Sequence, residues 1–205
     1  MRKFERIYRE LILSSFQKVS LVHQEDIAKK CGVSLGLVNK TVKKLELAMV
    51  AEATRNGVRV LSPARLLNLW AAERNLREDV WQSFRLDPFA EVEKDLPRDT
   101  LLTAFSGWFR ISGRKPADYD WVYFYVTSKE SFDLWLNFRR GKTRKTNPNV
   151  FVLYVEDEHL TRSSEKGIVC VPQVYVDIYS INGLEASPFL RDIAKTYPSL
   201  SIWGV

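Results

Sequence analysis

The stretch that most constrains the fold runs from Gln24 to Leu45 and reads QEDIAKKCGVSLGLVNKTVKKL. Apolar residues recur at helical spacing on both sides of Gly32, which predicts two short helices joined by a tight turn. Ala28 is small enough for the helices to cross closely, and Gly32 can take the positive φ that the turn needs. Ser34 is placed to cap the second helix, because its hydroxyl can accept from the first unpaired amides. This spacing is typical of a helix-turn-helix.

The helix that follows Ser34 has an apolar face and a basic face when its residues are placed about 100° apart. Val38, Val42 and Leu45 share the apolar side and are predicted to form a small core. The opposite side carries no acidic residue before Glu46. It consists of Gly36, Asn39, Lys40, Lys43 and Lys44. An ordinary solvated face is the alternative interpretation, since surface helices commonly turn charged residues to water.

A β-hairpin is predicted after this helix. Asn56-Gly57 separates two short extended runs, and both residues tolerate the backbone angles of a tight hairpin turn. Arg55 and Arg59 place two positive charges on the hairpin. Ser62-Pro63 then predicts the start of a fourth helix, with Ser at the N-cap and Pro in the first turn.

The order of predicted elements indicates two domains in an α+β protein. A first helix over residues 4–16 precedes the helix-turn-helix, and helix, helix, helix, hairpin, helix is the order of a winged helix. We therefore predict an N-terminal winged helix over residues 1–75 and a C-terminal α+β domain with a small sheet over residues 76–205. In the second domain, strands are predicted at 80–86, 121–126, 150–155 and 167–171, and helices at 87–96, 98–109, 128–140, 172–179 and 187–197.

Positive charge is concentrated in the first predicted domain. Residues 1–74 carry 14 Lys and Arg against 7 Asp and Glu, whereas residues 75–205 carry 17 against 18. This asymmetry favours an anionic partner for the first domain. A helix that exposes Asn and Lys suits the major groove of double-stranded DNA, where Asn can bond adenine and Lys can reach guanine or phosphate. The predicted DNA-binding residues are Ser34, Gly36, Asn39, Lys40, Lys43, Lys44, Arg55, Asn56 and Arg59, with Lys18 a further candidate for a phosphate contact.

A second basic patch follows the helix predicted at 128–140. It contains Arg139, Arg140, Lys142, Arg144 and Lys145. Basic residues are favoured near the C-terminus of a helix, so a solvated loop is one interpretation. A loop that contacts phosphate or an acidic partner is the other, and the sequence does not separate them.

One pair of carboxylates is a candidate for enzyme chemistry. Asp118 and Asp120 precede the run WVYFYV, and Gly107 lies upstream, which is the order in which nucleotidyltransferases place a nucleotide-binding turn and two Mg²⁺ ligands. The serine expected after that glycine is missing, and the carboxylates precede the strand. We therefore expect no catalytic residues, no metal site and no cofactor, and keep a nucleotidyltransferase-like enzyme as an alternative.

The cellular setting follows from what the sequence lacks. Cys31 and Cys170 are far apart and make neither a disulfide framework nor a zinc pattern, which favours a reducing compartment. The first ten residues, MRKFERIYRE, are too charged for a signal peptide. No apolar run approaches the roughly 20 residues that span a bilayer. A cytoplasmic protein with no membrane partner is expected.

The C-terminal third contains VPQVYVDIYSINGLEASPFLRDI, from Val171 to Ile193. With the N-terminal winged helix, this stretch resembles AbiEi-type antitoxins, the regulators of type IV toxin–antitoxin systems. The matching residues are Pro172, Gln173, Val174, Tyr175, Asp177 and Gly183. Leu184 stands where the family often has Arg. The resemblance implies DNA binding at the protein's own promoter and a cognate toxin protein as partner. From their spacing we expect Gln173 and Asp177 to serve in packing and capping.

We therefore expect a DNA-binding transcriptional regulator, the antitoxin and autorepressor of an abortive-infection system. A homodimer is a further expectation, because operators are often two-fold symmetric, and the apolar first helix is one candidate for the dimer seam. Besides the enzyme, the alternative is a protein-interaction adaptor with a vestigial winged helix.

Overall fold

The computed structural model of the chain describes residues 1–17, 19, 21–137, 139, 143–144 and 146–200. Four basic residues named above lie outside this description, namely Lys18, Arg140, Lys142 and Lys145. The chain divides into two compact units. The first unit contains Met1–Arg74 together with the described residues from Ala194 onward, and the second contains Asn75–Ile193. The predicted C-terminal domain ran to the end of the chain, whereas the last described residues belong to the first unit.

The first unit contains four helices, a hairpin and a short 3-10 turn in its described residues. They are α1 (Lys3–Phe16), α2 (Gln24–Cys31), α3 (Leu35–Leu47), β1 (Ala51–Thr54), β2 (Gly57–Val60), α4 (Pro63–Glu73) and the turn Pro198–Leu200. The predicted order of helices and hairpin up to α4 is confirmed. The antiparallel hairpin pairs Ala51 with Val60 and Thr54 with Gly57.

Helix α1 lies at the centre of this unit and packs against α2, α3 and α4. Ile7, Leu11 and Ile12 are completely buried. The interpretation of this apolar face as a dimer seam is therefore wrong, because the face is already covered by the unit's own elements. The predicted core residues of α3 are confirmed, since Val38, Val42 and Leu45 are buried as well.

Charged residues of α1 are buried too, which the helical pattern did not predict. The Glu5 carboxylate accepts from the Trp70 indole at 3.0 Å and lies 3.5 Å from the Arg74 guanidinium. Glu5 and Arg74 are both almost fully buried. This polar cluster joins the start of α1 to the end of α4, and mutual pairing offsets the cost of burying the charges.

The hairpin is anchored to the segment before α2. The Val22 amide donates to the Val58 carbonyl at 3.0 Å, and the Val58 amide donates back to Val22 at 2.8 Å. Gly57, beside this bridge, has a φ of +135°, and a Cβ there would lie 2.8 Å from the Val22 carbonyl oxygen. The bridge holds the hairpin against the start of the helix-turn-helix.

The second unit is a small mixed sheet with helices on both faces, which confirms the α+β class. Its elements are β3 (Val80–Phe84), α5 (Phe89–Val92), β4 (Thr100–Thr103), α6 (Ala104–Ser112), β5 (Val122–Val126), α7 (Lys129–Asn137), β6 (Val150–Tyr154), α8 (Glu158–Arg162), α9 (Val171–Ile181) and α10 (Ala186–Thr196), the last of which ends beyond this unit. The strand order is β3-β6-β5-β4. Strands β5 and β6 are parallel, and the other two pairs are antiparallel.

The two faces of this sheet follow the alternation of side chains along each strand. Phe124 and Val152 point to one face and pack with Phe132 and Trp135 of α7. Helix α6 packs on β4 and β5, and α9 packs on α6 and β4. Short strands with aromatic and β-branched residues suit this two-sided burial.

Three predicted elements of the second unit are wrong. The helix predicted at 98–109 is a strand followed by a helix, because Thr100–Thr103 pairs with β5 and only the residues from Ala104 onward are helical. The helix predicted at 87–96 shrinks to α5, with Pro88 at its N-cap. The strand predicted at 167–171 reduces to bridges made by Ile168, and Val171 already belongs to α9.

Candidate nucleic-acid interface

The turn between α2 and α3 has the geometry expected from its sequence. Gly32 ends α2 with φ 61° and ψ 43°, the left-handed conformation that glycine adopts without strain. The Val33 amide then donates to the Ala28 carbonyl at 3.0 Å. Ser34 caps α3, since its hydroxyl accepts from the Leu37 amide at 3.2 Å. The start of α3 is thereby fixed relative to α2.

The exposed side of α3 is polar and open. Asn39, Lys40 and Lys43 are exposed, and their side chains form no hydrogen bond or ion pair with another described residue. A Cβ on Gly36 would have no neighbouring atom within 4 Å. We call Gly36, Asn39, Lys40 and Lys43 the α3 face. It offers two unpaired ammonium groups, one amide and an unobstructed stretch of backbone near the helix N-terminus.

Lys44, which was expected on the same face, is held by the protein itself. Its ammonium lies 2.6 Å from the Glu73 carboxylate and 5.7 Å from the centre of the Phe4 ring. Burial of its hydroxyl raises the pKa of Tyr8, and the neighbouring Glu73 carboxylate raises it further. The charge of Lys44 therefore neutralises a half-buried carboxylate. Helical spacing alone could not show this, because Glu73 lies 29 residues away in the chain.

The hairpin presents its turn to solvent. The Thr54 hydroxyl donates to the Gly57 carbonyl at 3.0 Å and accepts from the Asn56 amide at 3.2 Å, which closes the turn. Arg55 and Asn56 are exposed, and their side chains have no partner among the described residues. Arg59 is paired across the hairpin with Glu52 at 2.6 Å, and both side chains are about half exposed.

The two described residues of the second basic patch, Arg139 and Arg144, have different surroundings. Arg139 forms an ion pair with Asp95 and stacks on the Trp135 ring at 4.4 Å, so it fixes the end of α7. Arg144 is exposed, and its backbone exchanges two hydrogen bonds with Arg85, at 2.7 and 3.0 Å. Arg140, Lys142 and Lys145 lie outside the described residues, so the patch as a whole stays a prediction.

Gly107 and Asp118, whose order in the sequence suggests nucleotidyl transfer, have unrelated structural roles in the fold. Gly107 is inside α6, where a Cβ would meet the Leu102 backbone and Val174 at 3.4 Å, so it is a packing glycine and forms no nucleotide-binding turn. The Asp118 side chain is fully exposed and pairs with Lys115 at 3.0 Å. Within the described ranges, no group of three or more His, Cys, Asp or Glu side chains is placed to hold a metal ion.

The motif that carried the family resemblance builds a buried polar network. Asp177 accepts from the hydroxyls of Thr103 and Tyr125, both at 2.7 Å, and from the Gln173 amide at 3.0 Å. All four side chains are buried. The predicted packing role of Gln173 and Asp177 agrees with this placement, which ties α9 to β4 and β5.

Comparison with known proteins adds no relative. No family model, curated protein or solved structure matches the chain. Across the residues described here, no helix combines the length and apolar character needed to cross a membrane.

Proposed function

We propose that the protein is a DNA-binding transcriptional regulator whose first unit acts as a winged helix. The observation that carries this proposal is the α3 face, on which Asn39, Lys40 and Lys43 are exposed and have no partner among the described residues. Unpaired lysines also occur on solvated helices, so the proposal rests on their combination with an open glycine and an amide on one face. A helix that enters the major groove uses all three features.

In the proposed complex, α3 enters the groove by its N-terminal half. Gly36 lets the backbone approach the duplex, and Asn39 can bond adenine through its amide. Lys40 and Lys43 reach guanine or phosphate, and Arg55 at the hairpin turn contacts the backbone or the minor groove. Arg59 can join them, since an exposed ion pair such as that with Glu52 stabilises by at most about 1 kcal/mol and exchanges readily.

Binding of the full chain to a short non-specific duplex, measured by fluorescence anisotropy at several salt concentrations, tests this proposal. The full chain is needed because the described residues from Ala194 onward belong to the first unit. If Lys40 and Lys43 both contact phosphate, the variant Lys40→Gln/Lys43→Gln reduces the slope of log K against log salt by about 2. The matched control is Lys94→Gln/Arg98→Gln, two exposed cations of the second unit.

The control is expected to keep the slope of the unsubstituted protein. The proposal fails if the unsubstituted chain does not bind at low salt. It also fails if both double variants change the slope equally, since binding would then follow net charge and no particular surface.

We further propose that the protein represses its own promoter and acts as the antitoxin of a toxin–antitoxin pair in the cytoplasm, with no catalytic role of its own. This rests on the resemblance of residues 171–193 to AbiEi-type antitoxins. In vitro selection of bound DNA, compared with the sequence upstream of the gene, tests autorepression; a two-fold symmetric site would also support the expected homodimer. Co-expression with the neighbouring open reading frame tests the antitoxin role, which fails if that product is harmless alone.

A further inference from the structure

A cavity of about 600 Å³ opens in the second unit. It lies between the start of β3, the parallel strands β5 and β6, and the end of α9. This volume is within the range of pockets that hold small organic molecules. Six of its lining residues carry the argument: the aromatic side chains of Trp121, Tyr123 and Phe151, and the polar side chains of Arg77, Ser180 and Asn182.

One wall of the cavity is a stacked pair of aromatic rings. Tyr123 and Phe151 are paired residues on β5 and β6, and their rings stack with centroids 4.5 Å apart and planes 8° from parallel. They point away from the core residues Phe124 and Val152, because neighbouring side chains alternate across a sheet. Both rings are only partly buried. The parts of the two rings that are not stacked on each other therefore offer the cavity an aromatic contact that the core does not use.

The cavity also holds an unpaired positive charge. Arg77 has the one charged side chain among the described lining residues. This side chain is exposed and makes no hydrogen bond or ion pair with the rest of the described chain. Burial raises the pKa of Tyr123 to about 12, while the nearby Arg77 charge lowers it. The Tyr123 hydroxyl is therefore a neutral donor at physiological pH, within the field of the guanidinium.

The end of α9 forms the remaining polar wall of the cavity. Asn182 follows the helix in the left-handed conformation, with φ 52° and ψ 37°, and its exposed amide is also unpartnered among the described residues. The Ser180 hydroxyl accepts from the Leu76 amide at 2.8 Å and so holds this side in place. The cavity thus combines an aromatic wall with one cation and one free amide.

We propose that this cavity binds a small planar aromatic anion, with its ring packed against the stacked pair of Tyr123 and Phe151 and its carboxylate or phosphate on Arg77. A guanidinium is suited to this task, because its planar fork matches the oxygens of either group. Asn182 is placed to read a polar edge of the ring. The proposal does not depend on DNA binding, since every residue involved lies in the second unit.

Isothermal titration of the full chain with four probes tests this binding. Indole-3-carboxylate and AMP represent the carboxylate and phosphate forms, and indole and adenosine are their uncharged matches. At least one anion is expected to bind tenfold or more tightly than its uncharged match, the size of one charge-assisted hydrogen bond. Which anion shows the preference identifies the ligand's charged group.

Two variants locate the binding. Arg77→Gln is expected to abolish the preference for the anion while leaving the uncharged probe unchanged, and Arg98→Gln, an exposed arginine outside the cavity, is expected to change neither. A thermal melt of each variant checks that the fold is kept. The proposal is overturned if neither anion binds at millimolar concentration, if the uncharged probes bind equally well, or if Arg77→Gln binds like the unsubstituted protein.

Discussion

Gly57 occupies the place where the hairpin turns against the segment before α2. Its φ of +135° is open to glycine and strained for other residues, and an added Cβ would lie 2.8 Å from the Val22 carbonyl oxygen. Both the strained φ and the steric clash involve backbone atoms, which cannot move aside as a flexible side chain can. We therefore expect Gly57→Ala to lower the free energy of unfolding by about 3 kcal/mol, measured by urea denaturation.

Gly36→Ala is the control for this prediction. The methyl group would meet no atom within 4 Å, and alanine favours the helix by up to about 1 kcal/mol. The control is therefore expected to keep or raise stability. If both variants lose the same free energy of unfolding, the close contact with the Val22 carbonyl is not the reason that position 57 requires glycine.

Asp177 is the acceptor at the centre of the buried network in the second unit. Removing the carboxylate leaves the donors of Thr103, Tyr125 and Gln173 without this partner. Asp177→Ala is expected to cost about 3 kcal/mol in the free energy of unfolding, and Tyr125→Phe about 1 kcal/mol. Chemical denaturation followed by circular dichroism measures both.

The matched carboxylate for Asp177 is Asp118, whose side chain is fully exposed. Asp118→Ala is expected to change stability by no more than about 0.5 kcal/mol. Equal losses in the two aspartate variants would contradict a structural role for the network.

Elements defined by local signals were predictable from the sequence, whereas elements defined by distant partners were not. The end of α2 follows from Gly32 and the start of α3 from Ser34, because each residue acts locally on its own helix end. Thr100–Thr103 runs into α6 without a turn residue, so its apolar spacing continues the helical pattern. It is a strand because it pairs with β5, and the change of direction is made by Ala104 with a φ of +52°. No residue type marks that change.

The same division applies to the candidate interface. The exposed side of α3 follows from helical periodicity, but the partners of Lys44 come from α1 and α4. Periodicity therefore predicts which lysines leave the core and cannot predict which ones other elements neutralise. The sequence does not predict the cavity of the second unit either, since its lining residues come from four separate stretches of the chain.

We therefore expect two lysines of α3 to differ in role: Lys44 stabilises the fold, whereas Lys40 contacts DNA. Lys44→Gln removes the partner of Glu73 and is expected to lower the free energy of unfolding by about 0.5 kcal/mol while leaving the salt dependence of DNA binding unchanged. Lys40→Gln is expected to leave stability unchanged and to reduce the salt slope by about 1. Denaturation and anisotropy on the same two variants check this. Equal effects on the slope would place Lys44 in the interface.

At the scale of the whole molecule, the basic N-terminal part of the sequence and the first compact unit do not cover the same residues. Residues 1–74 carry twice as many basic as acidic residues, whereas the rest is close to neutral. Yet the first unit also includes described residues from the other end of the chain, where Pro198–Leu200 packs against α4. The Phe16 and Tyr197 rings stack there at 6.4 Å. A fragment ending near residue 75 therefore lacks part of its own core.

This closure by the chain end gives a prediction about where stability is lost. Leu200 is 1% exposed, so Leu200→Ala is expected to cost about 2 kcal/mol through the lost burial and the cavity that remains. The chain divides into two compact units, so the loss of stability should be confined to the first one. It should appear as faster amide exchange in α1 and α4, with exchange in β5 and β6 unchanged. Hydrogen exchange read by mass spectrometry measures this. Leu184→Ala, at a leucine that is 93% exposed, is the control and should change neither unit. Equal acceleration in β5 and β6 would show that the units unfold together.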